Sequence, residues 1–187
     1  MSEIKLILIR HGEAASAFGD AEDPSLSALG TKQSKKLVKD LDKDFLIKYK
    51  FFSSPKARAI ETAKPLVDLL KKDLIIKNEF SEIPSPKTNG KEKQRWLKNI
   101  MSLSIDKLPK DVDLWRQNLL KVMSSLEKNT IVFTHFMVIN ALIGHIEKNE
   151  TLLCFYPANA SITTIFIENG IPSGYQVGEN KKTIINL

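Results

Sequence analysis

The segment Ile4-Lys5-Leu6-Ile7-Leu8-Ile9 constrains the fold of this chain more than any other. It is a continuous apolar run broken only by Lys5, and it stops abruptly at Arg10-His11-Gly12. A run with no polar face predicts a strand buried on both sides, as at the centre of a parallel sheet. Such a strand needs a layer of helices on each face, which the rest of the chain must supply.

Residues 14–26 read as a loop, punctuated by Gly19, Asp20, Asp23, Pro24 and Ser25. Ser27 is placed to cap a helix running to about Leu41, with Gly30 a weak point in its first turn. Tyr49 to Ser53 is a short aromatic strand. Pro55 fits the first turn of the next helix, to about Leu70, where a missing N–H is no loss. Asp73 to Lys77 is a third strand, and Glu79 to Gly90 is rich in turn residues. Helices follow over residues 91–103 and from Asp111 to Lys128. Thr130 to Thr134 is another buried strand, ending at His135, which opens a helix from Met137 to Ile146. Ser161 to Ile167, Tyr175-Gln176-Val177 and Thr183-Ile184-Ile185 complete the sheet edge. Strands alternating with helices predict an α/β fold in three layers (α/β/α), a mostly parallel mixed sheet flanked by helices. No repeat or linker divides the chain, so one domain over residues 1–187 is expected, as for a chain of this length.

Composition narrows the function classes. A hydrophobic fraction of 42% and a charged fraction of 27% are those of a globular protein with a full core. Cys154 is the only cysteine, which excludes a disulfide framework; beside Leu152 and Leu153 it reads as a small buried apolar residue. Nothing approaches the ~20 apolar residues of a membrane span, and Met1-Ser2-Glu3-Ile4-Lys5 has no leader pattern, so no membrane association and a cytoplasmic location are expected. The net charge of +6 comes mainly from lysines such as Lys32, Lys35, Lys36, Lys39 and Lys43, at helical spacing beside Asp40, Asp42 and Asp44. That is the pattern of a solvated helix face, and with no recognisable module, nucleic acid is not an expected partner.

In an open α/β sheet, ligands bind beyond the carboxyl ends of the strands. Three such ends carry reactive or cationic groups: Arg10 and His11 on the first, Ser53, Ser54 and Arg58 after the second, and His135 after the fourth. Two histidines and two arginines meeting in one crevice suit a dianionic phosphate. A neutral imidazole can attack phosphorus and split one displacement into two. Arginine forks can stabilise the equatorial oxygens through bidentate hydrogen bonds. Gly12 allows a tight turn beside the imidazole, and a separate acid must protonate the leaving oxygen.

Arg10-His11-Gly12-Glu13 after an apolar strand resembles the signature of the histidine phosphatase superfamily, which includes the cofactor-dependent phosphoglycerate mutases. Leu26-Ser27-Ala28-Leu29-Gly30-Thr31-Lys32-Gln33 is similar to that family's LTxxGxxQ helix start. Ser53 to Thr62 is similar to its SSPxxRAxET helix, and Ser81-Glu82-Ile83 falls where its acidic residue lies. Ile131 to His135 resembles the strand bearing its second histidine, and Asn159-Ala160-Ser161-Ile162 its last strand. The resemblance implies a phosphoglycerate mutase-like fold and a metal-independent phosphatase without cofactor, acting on a small phosphorylated metabolite or a phosphoprotein. It implies His11 as the nucleophile that becomes phosphohistidine, and Arg10, Arg58 and His135 as the phosphate cradle. Glu82 is implied as acid for the leaving oxygen and base for water. Glu13 and Glu61 are read as orienting groups, Trp96 and Trp115 as packing residues, and His145 as stabilised by a helix C-terminus.

Two positions depart from the family pattern. Phe136 follows His135 where many relatives have glycine, which is expected to narrow the pocket or alter the helix entry. Ala14-Ala15-Ser16-Ala17 replaces the usual polar loop, leaving Ser16 as its expected phosphate contact. Residues 83–112 are expected to cap the substrate; there Lys87, Lys91, Lys93 and Arg95 either meet further anionic groups or form a solvated face. Lacking long insertions, the chain favours hydrolysis over mutase transfer. Competing readings are a SixA-like protein phosphohistidine phosphatase, a mutase, a non-catalytic phosphate-binding protein and a metal-dependent phosphatase. For the last, Asp111-Val112-Asp113 starts a helix, where capping explains it, and three histidines without ligand spacing offer no metal site. Oligomeric state is not legible in the sequence.

Overall fold

A computed structural model of the chain describes residues 3–88 and 90–178. The expected edge strand Thr183-Ile184-Ile185 lies outside the described residues.

Six strands form one mixed sheet: β1 (Ile4–Arg10), β2 (Lys50–Ser53), β3 (Leu74–Ile76), β4 (Thr130–Thr134), β5 (Ile162–Glu168) and β6 (Ile171–Val177). Their order is β3-β2-β4-β1-β5-β6. The first four in that order are parallel; β5 runs antiparallel to β1, and β6 antiparallel to β5. The run that opens the chain is therefore an interior strand, paired with β4 on one side and β5 on the other.

Alternation along β1 divides the core. Leu6 and Leu8 face one side with Val132, packed against α4 (Gly90–Ser102), α5 (Lys110–Ser124) and α6 (Phe136–Ile146). Ile7 and Ile9 face the other with Ile131 and Phe133, packed against α1 (Ala28–Asp40), the short α2 (Lys43–Leu46) and α3 (Ala57–Leu70). These two faces make the three-layer α/β fold that strand periodicity predicts. Helix α6 is buried at every position from Phe136 to Gly144. Among the described residues no helix is long and apolar enough to cross a membrane.

Several expectations need correction. Helix α3 starts at Ala57, so Pro55 lies in the bend before it and not in its first turn. Pro65 sits inside α3 and cannot donate to the Glu61 carbonyl four residues back. The Ser34 hydroxyl of α1 fills that place, donating to the Glu61 and Thr62 carbonyls at 3.2 and 3.1 Å. Helix α5 ends at Ser124, not Lys128. Its cap is Pro109, so Asp111 and Asp113 act on the helix dipole from inside the first turn and do not cap by hydrogen bond. Cys154 is half-buried and hydrogen-bonds Asn140; burial pushes its thiol up to about 11.

Candidate active site

Parallel pairing brings the chemistry to one end of the sheet. Arg10 of β1 lies in register with Thr134 of β4, so His11 and His135 leave adjacent strands side by side. Their rings stand edge-on, 5.2 Å apart between centroids. The His11 N–H donates to the Thr134 carbonyl at 2.9 Å, and the Ser54 N–H, after β2, donates to the Phe133 carbonyl at 3.0 Å.

The hydrogen bonds of His11 fix its tautomer. Nδ1 lies 2.7 Å from the Gly12 carbonyl, which can only accept, so Nδ1 carries the proton. Arg58 Nε donates to His11 Nε2 at 3.2 Å, so Nε2 holds a lone pair. Burial first, then the guanidiniums of Arg58 and Arg10, hold this imidazole well below its ordinary pKa and keep it neutral.

The arginines are built into the wall. Arg10 Nη1 donates to the Pro157 carbonyl at 2.7 Å, and its Cζ lies 5.1 Å from the centroid of the Phe136 ring. Burial lowers its pKa to about 10. Phe136 thus lines the cavity as a platform for Arg10, backed by Tyr156 at 5.7 Å. Arg58 pairs with Asp23 at 3.7 Å, while the Asp23 carboxylate also accepts the Ala57 N–H at the start of α3, at 3.0 Å.

Glu82 lines the same cavity. Its Oε1 accepts the N–H groups of Ile83 at 3.1 Å and Met137, in the first turn of α6, at 3.2 Å. Burial raises its pKa, opposed by those hydrogen bonds and by Arg58 and Arg10. A carboxyl that holds its proton above the usual range is suited to general acid work.

The cavity, of about 1420 Å³, is lined by Arg10, His11, Ser16, Arg58 and Glu82 of the six site residues named from the sequence. His135 is the exception. It is fully buried behind the wall, with Nε2 2.7 Å from Ser54 Oγ and Nδ1 without a hydrogen-bond partner among the described residues. Ala14, Ala17 and Phe18 also line the cavity, as do Ile83, Ser85, Lys87, Lys93 and Leu97 from the middle segment; Lys91 and Arg95 face solvent. Trp96 and Trp115 pack on the larger core. His145 lies in the last turn of α6 as expected, but burial and Arg116 lower its pKa, against the direction a helix end favours.

Glu13 and Glu61 hold the loop between β1 and α1. Glu13 Oε1 accepts the Ser27 hydroxyl at 2.7 Å, and Glu61 Oε2 accepts the Leu26 N–H at 2.7 Å. Gly12 and Gly30 press together: a Cβ on Gly12 would lie 2.7 Å from the Gly30 oxygen, so glycine is required at this crossing. Sequence reasoning missed three supports. Asp23 was legible only as a turn residue, because its partners Ala57 and Arg58 are remote in the chain. Thr62 takes the Gly12 N–H on Oγ1 at 2.9 Å, and Ser54 holds His135. Both lie in the Ser53–Thr62 motif, which was the available signal. Among the described residues no group of three or more His, Cys, Asp or Glu is placed to hold a metal ion.

Solved structures share this fold. Phosphoserine phosphatase from Entamoeba histolytica, in complex with 3-phosphoglyceric acid, aligns with TM-score 0.71 and 21% identity, covering 98% of this chain and 100% of that one. A phosphoglycerate mutase from Bacillus anthracis gives TM-score 0.71 and 20% identity over 96% and 92% of the two chains. A mycobacterial glucosyl-3-phosphoglycerate phosphatase gives 0.66 and 18% over 94% and 97%. No curated protein sequence matches the chain significantly. The family model for the histidine phosphatase superfamily (branch 1) matches residues 6–174, and the chain belongs to that superfamily.

Proposed function

We propose that the protein is a metal-independent phosphatase that hydrolyses a phosphomonoester through a phosphohistidine on His11. The observation that carries this reading is the tautomer of His11, with Nδ1–H on the Gly12 carbonyl and the Nε2 lone pair held by Arg58 on the cavity side of the sheet. A phosphate oxygen is a better acceptor for a guanidinium than an imidazole nitrogen. An incoming phosphate therefore draws the Arg58 fork onto itself and bares the nucleophile.

In the first half-reaction Nε2 bonds to phosphorus as the P–O bond to the leaving group breaks. Glu82 gives its proton to that oxygen, releasing an alcohol. Arg10 and Arg58 take the charge of the transferring group, and Ser16 contacts it from the loop. His135 supports the site from behind the wall, its ring edge-on to His11 and its Nε2 engaged by Ser54. In the second half the Glu82 carboxylate takes a proton from water as its oxygen bonds to phosphorus. The P–N bond breaks, the electron pair returns to Nε2, and inorganic phosphate leaves.

Residues 83–112 form the specificity wall of a single-domain enzyme. In support, this segment is stitched to the 14–26 loop: the Gly90 N–H donates to the Gly19 carbonyl at 3.0 Å and the Gln94 amide to the Phe18 carbonyl at 3.3 Å. The substrate is a small phosphorylated metabolite, as for the phosphoserine and glucosyl-3-phosphoglycerate phosphatases of the same fold. Glu82 in the cavity favours a phosphomonoester over a phosphohistidine protein, because a phosphoramidate nitrogen has less need of a strong acid. The test is a labelled phosphodonor followed by acid and alkali treatment. Alkali-stable, acid-labile label on the wild type and none on His11→Ala is expected; label or turnover surviving in His11→Ala overturns the mechanism.

A further inference from the structure

Glu82 sits in a segment without regular secondary structure, residues 81–88, so no ladder fixes its backbone. Instead the two residues before it are tied to separate elements through their carbonyls. Thr134 Oγ1 of β4 donates to the Phe80 carbonyl at 2.9 Å. Trp115 Nε1 of α5 donates to the Ser81 carbonyl at 3.0 Å. The Glu82 carboxylate then reaches the Met137 N–H of α6. Three elements of the same face thus converge on three consecutive residues, and the last of these is the acid.

Trp115 does not line the cavity, and its ring is anchored in the larger core. Its indole N–H is therefore a fixed donor. A water molecule in its place would satisfy the Ser81 carbonyl equally well but would not hold it still. We infer that Trp115 is a positioning residue for Glu82, setting the approach of its carboxyl to the leaving oxygen by clamping the preceding carbonyl. This inference rests on Glu82 being the acid. Its physical basis is the steep dependence of proton transfer on geometry: a misplacement of about 1 Å can cost roughly 10²-fold in rate.

Leaving-group sensitivity separates this role from a structural one. An alkyl phosphate needs its leaving oxygen protonated, whereas 2,4-dinitrophenyl phosphate expels a stable phenolate unaided. Trp115→Phe should lower kcat/KM on the alkyl ester by about 10- to 100-fold, with kcat/KM on the dinitrophenyl ester, which reports only phosphoryl transfer to His11, unchanged. Glu82→Gln should show the same selectivity in kcat/KM, larger, while its kcat falls on both esters because the base for water is lost as well. Benzothienylalanine placed at position 115 keeps the shape of tryptophan and removes only the N–H, so it decides the matter if Trp115→Phe does not fold. Equal losses on both esters, or no loss on either, overturn the inference while a selective Glu82→Gln leaves the acid intact. A Glu82→Gln variant without selectivity overturns the acid assignment and the inference together.

Discussion

Gly30→Ala is expected to destabilise the protein, although helix propensity alone predicts the reverse. Gly30 is the third residue of α1, and alanine is favoured there by up to ~1 kcal/mol in a helix interior. The obstacle is tertiary. A Cβ at Gly30 would run into the Glu13 carbonyl oxygen and lie 2.9 Å from Glu13 N and 3.0 Å from Glu13 C. All three are backbone atoms, so no rotamer change relieves the contact. Glu13 is itself tied: its N–H donates to Gln33 Oε1 at 2.8 Å and its carbonyl accepts the Ser27 N–H at 2.8 Å. The helix start must therefore move as a unit away from β1. Overpacking of this kind costs ~3 kcal/mol at the upper end of its usual range. With the propensity gain subtracted, the net loss is ~2 kcal/mol, or a fall in Tm of about 4–8 °C for a chain of this size. Thermal unfolding followed by circular dichroism measures it, and kcat/KM should fall as well, because Glu13 follows His11-Gly12 directly. A variant with equal or higher Tm would refute the reasoning.

Four further outcomes follow from the site. Arg58→Gln removes the donor on His11 Nε2 and half of the guanidinium pair, so kcat/KM should drop by about 10²- to 10³-fold; NMR titration should show the His11 pKa rising, since Arg58 is the second cause of its depression after burial. For an alkyl phosphate, kcat should fall as pH rises through the raised pKa of Glu82, and Glu82→Gln should lose that limb; an unchanged limb in the variant would refute the assignment. Folding stability should decline in acid, because His11 and His135 stay neutral in the fold while the unfolded chain binds protons below ~6.5; a Tm that does not fall between pH 7.5 and 5.5 would contradict this. Phe136→Leu keeps most of the buried volume but removes the ring under Arg10, and KM should rise about two- to fivefold with kcat less affected, a cation–π contact being worth ~0.5–1 kcal/mol.

The strand ends were legible because hydrophobic pattern and reactive residues coincide there. Five apolar positions of the six running into Arg10-His11 predict an interior strand, and β1 is one. The Ser53–Thr62 motif likewise pointed to Arg58, which lines the cavity and reaches His11. Other features were hidden because they depend on partners distant in the chain. Gly30 reads as a weak helix position until Glu13 is seen against it. Trp115 reads as a packing aromatic until its N–H is seen on Ser81, 34 residues away. Pro55 suits a helix start by local preference, yet the Asp23 carboxylate sets that start at Ala57. His135 was placed at the correct strand end, but its depth behind the wall depends on Ser54, which local sequence does not reveal.

The charges of the site explain why buried ionisable groups are kept there despite their cost. Burial first, and then Arg58 and Arg10, depress the basicity of His11, which keeps it unprotonated but also makes its lone pair a weaker nucleophile. The same two cations oppose the retention of a proton by Glu82. In the mechanism proposed above, a phosphate dianion bound between them changes both effects at once. By neutralising the guanidiniums it relieves the depression of His11, so the lone pair gains basicity when there is phosphorus to attack. By adding negative charge near Glu82 it strengthens that carboxyl's hold on its proton until the leaving oxygen develops charge of its own. The proposed nucleophile and acid would thus both be tuned by the substrate through the residues proposed to bind it. A neutral replacement for either arginine would lose this coupling even if it kept the hydrogen bonds, so charge, beyond geometry, is what the buried pair contributes.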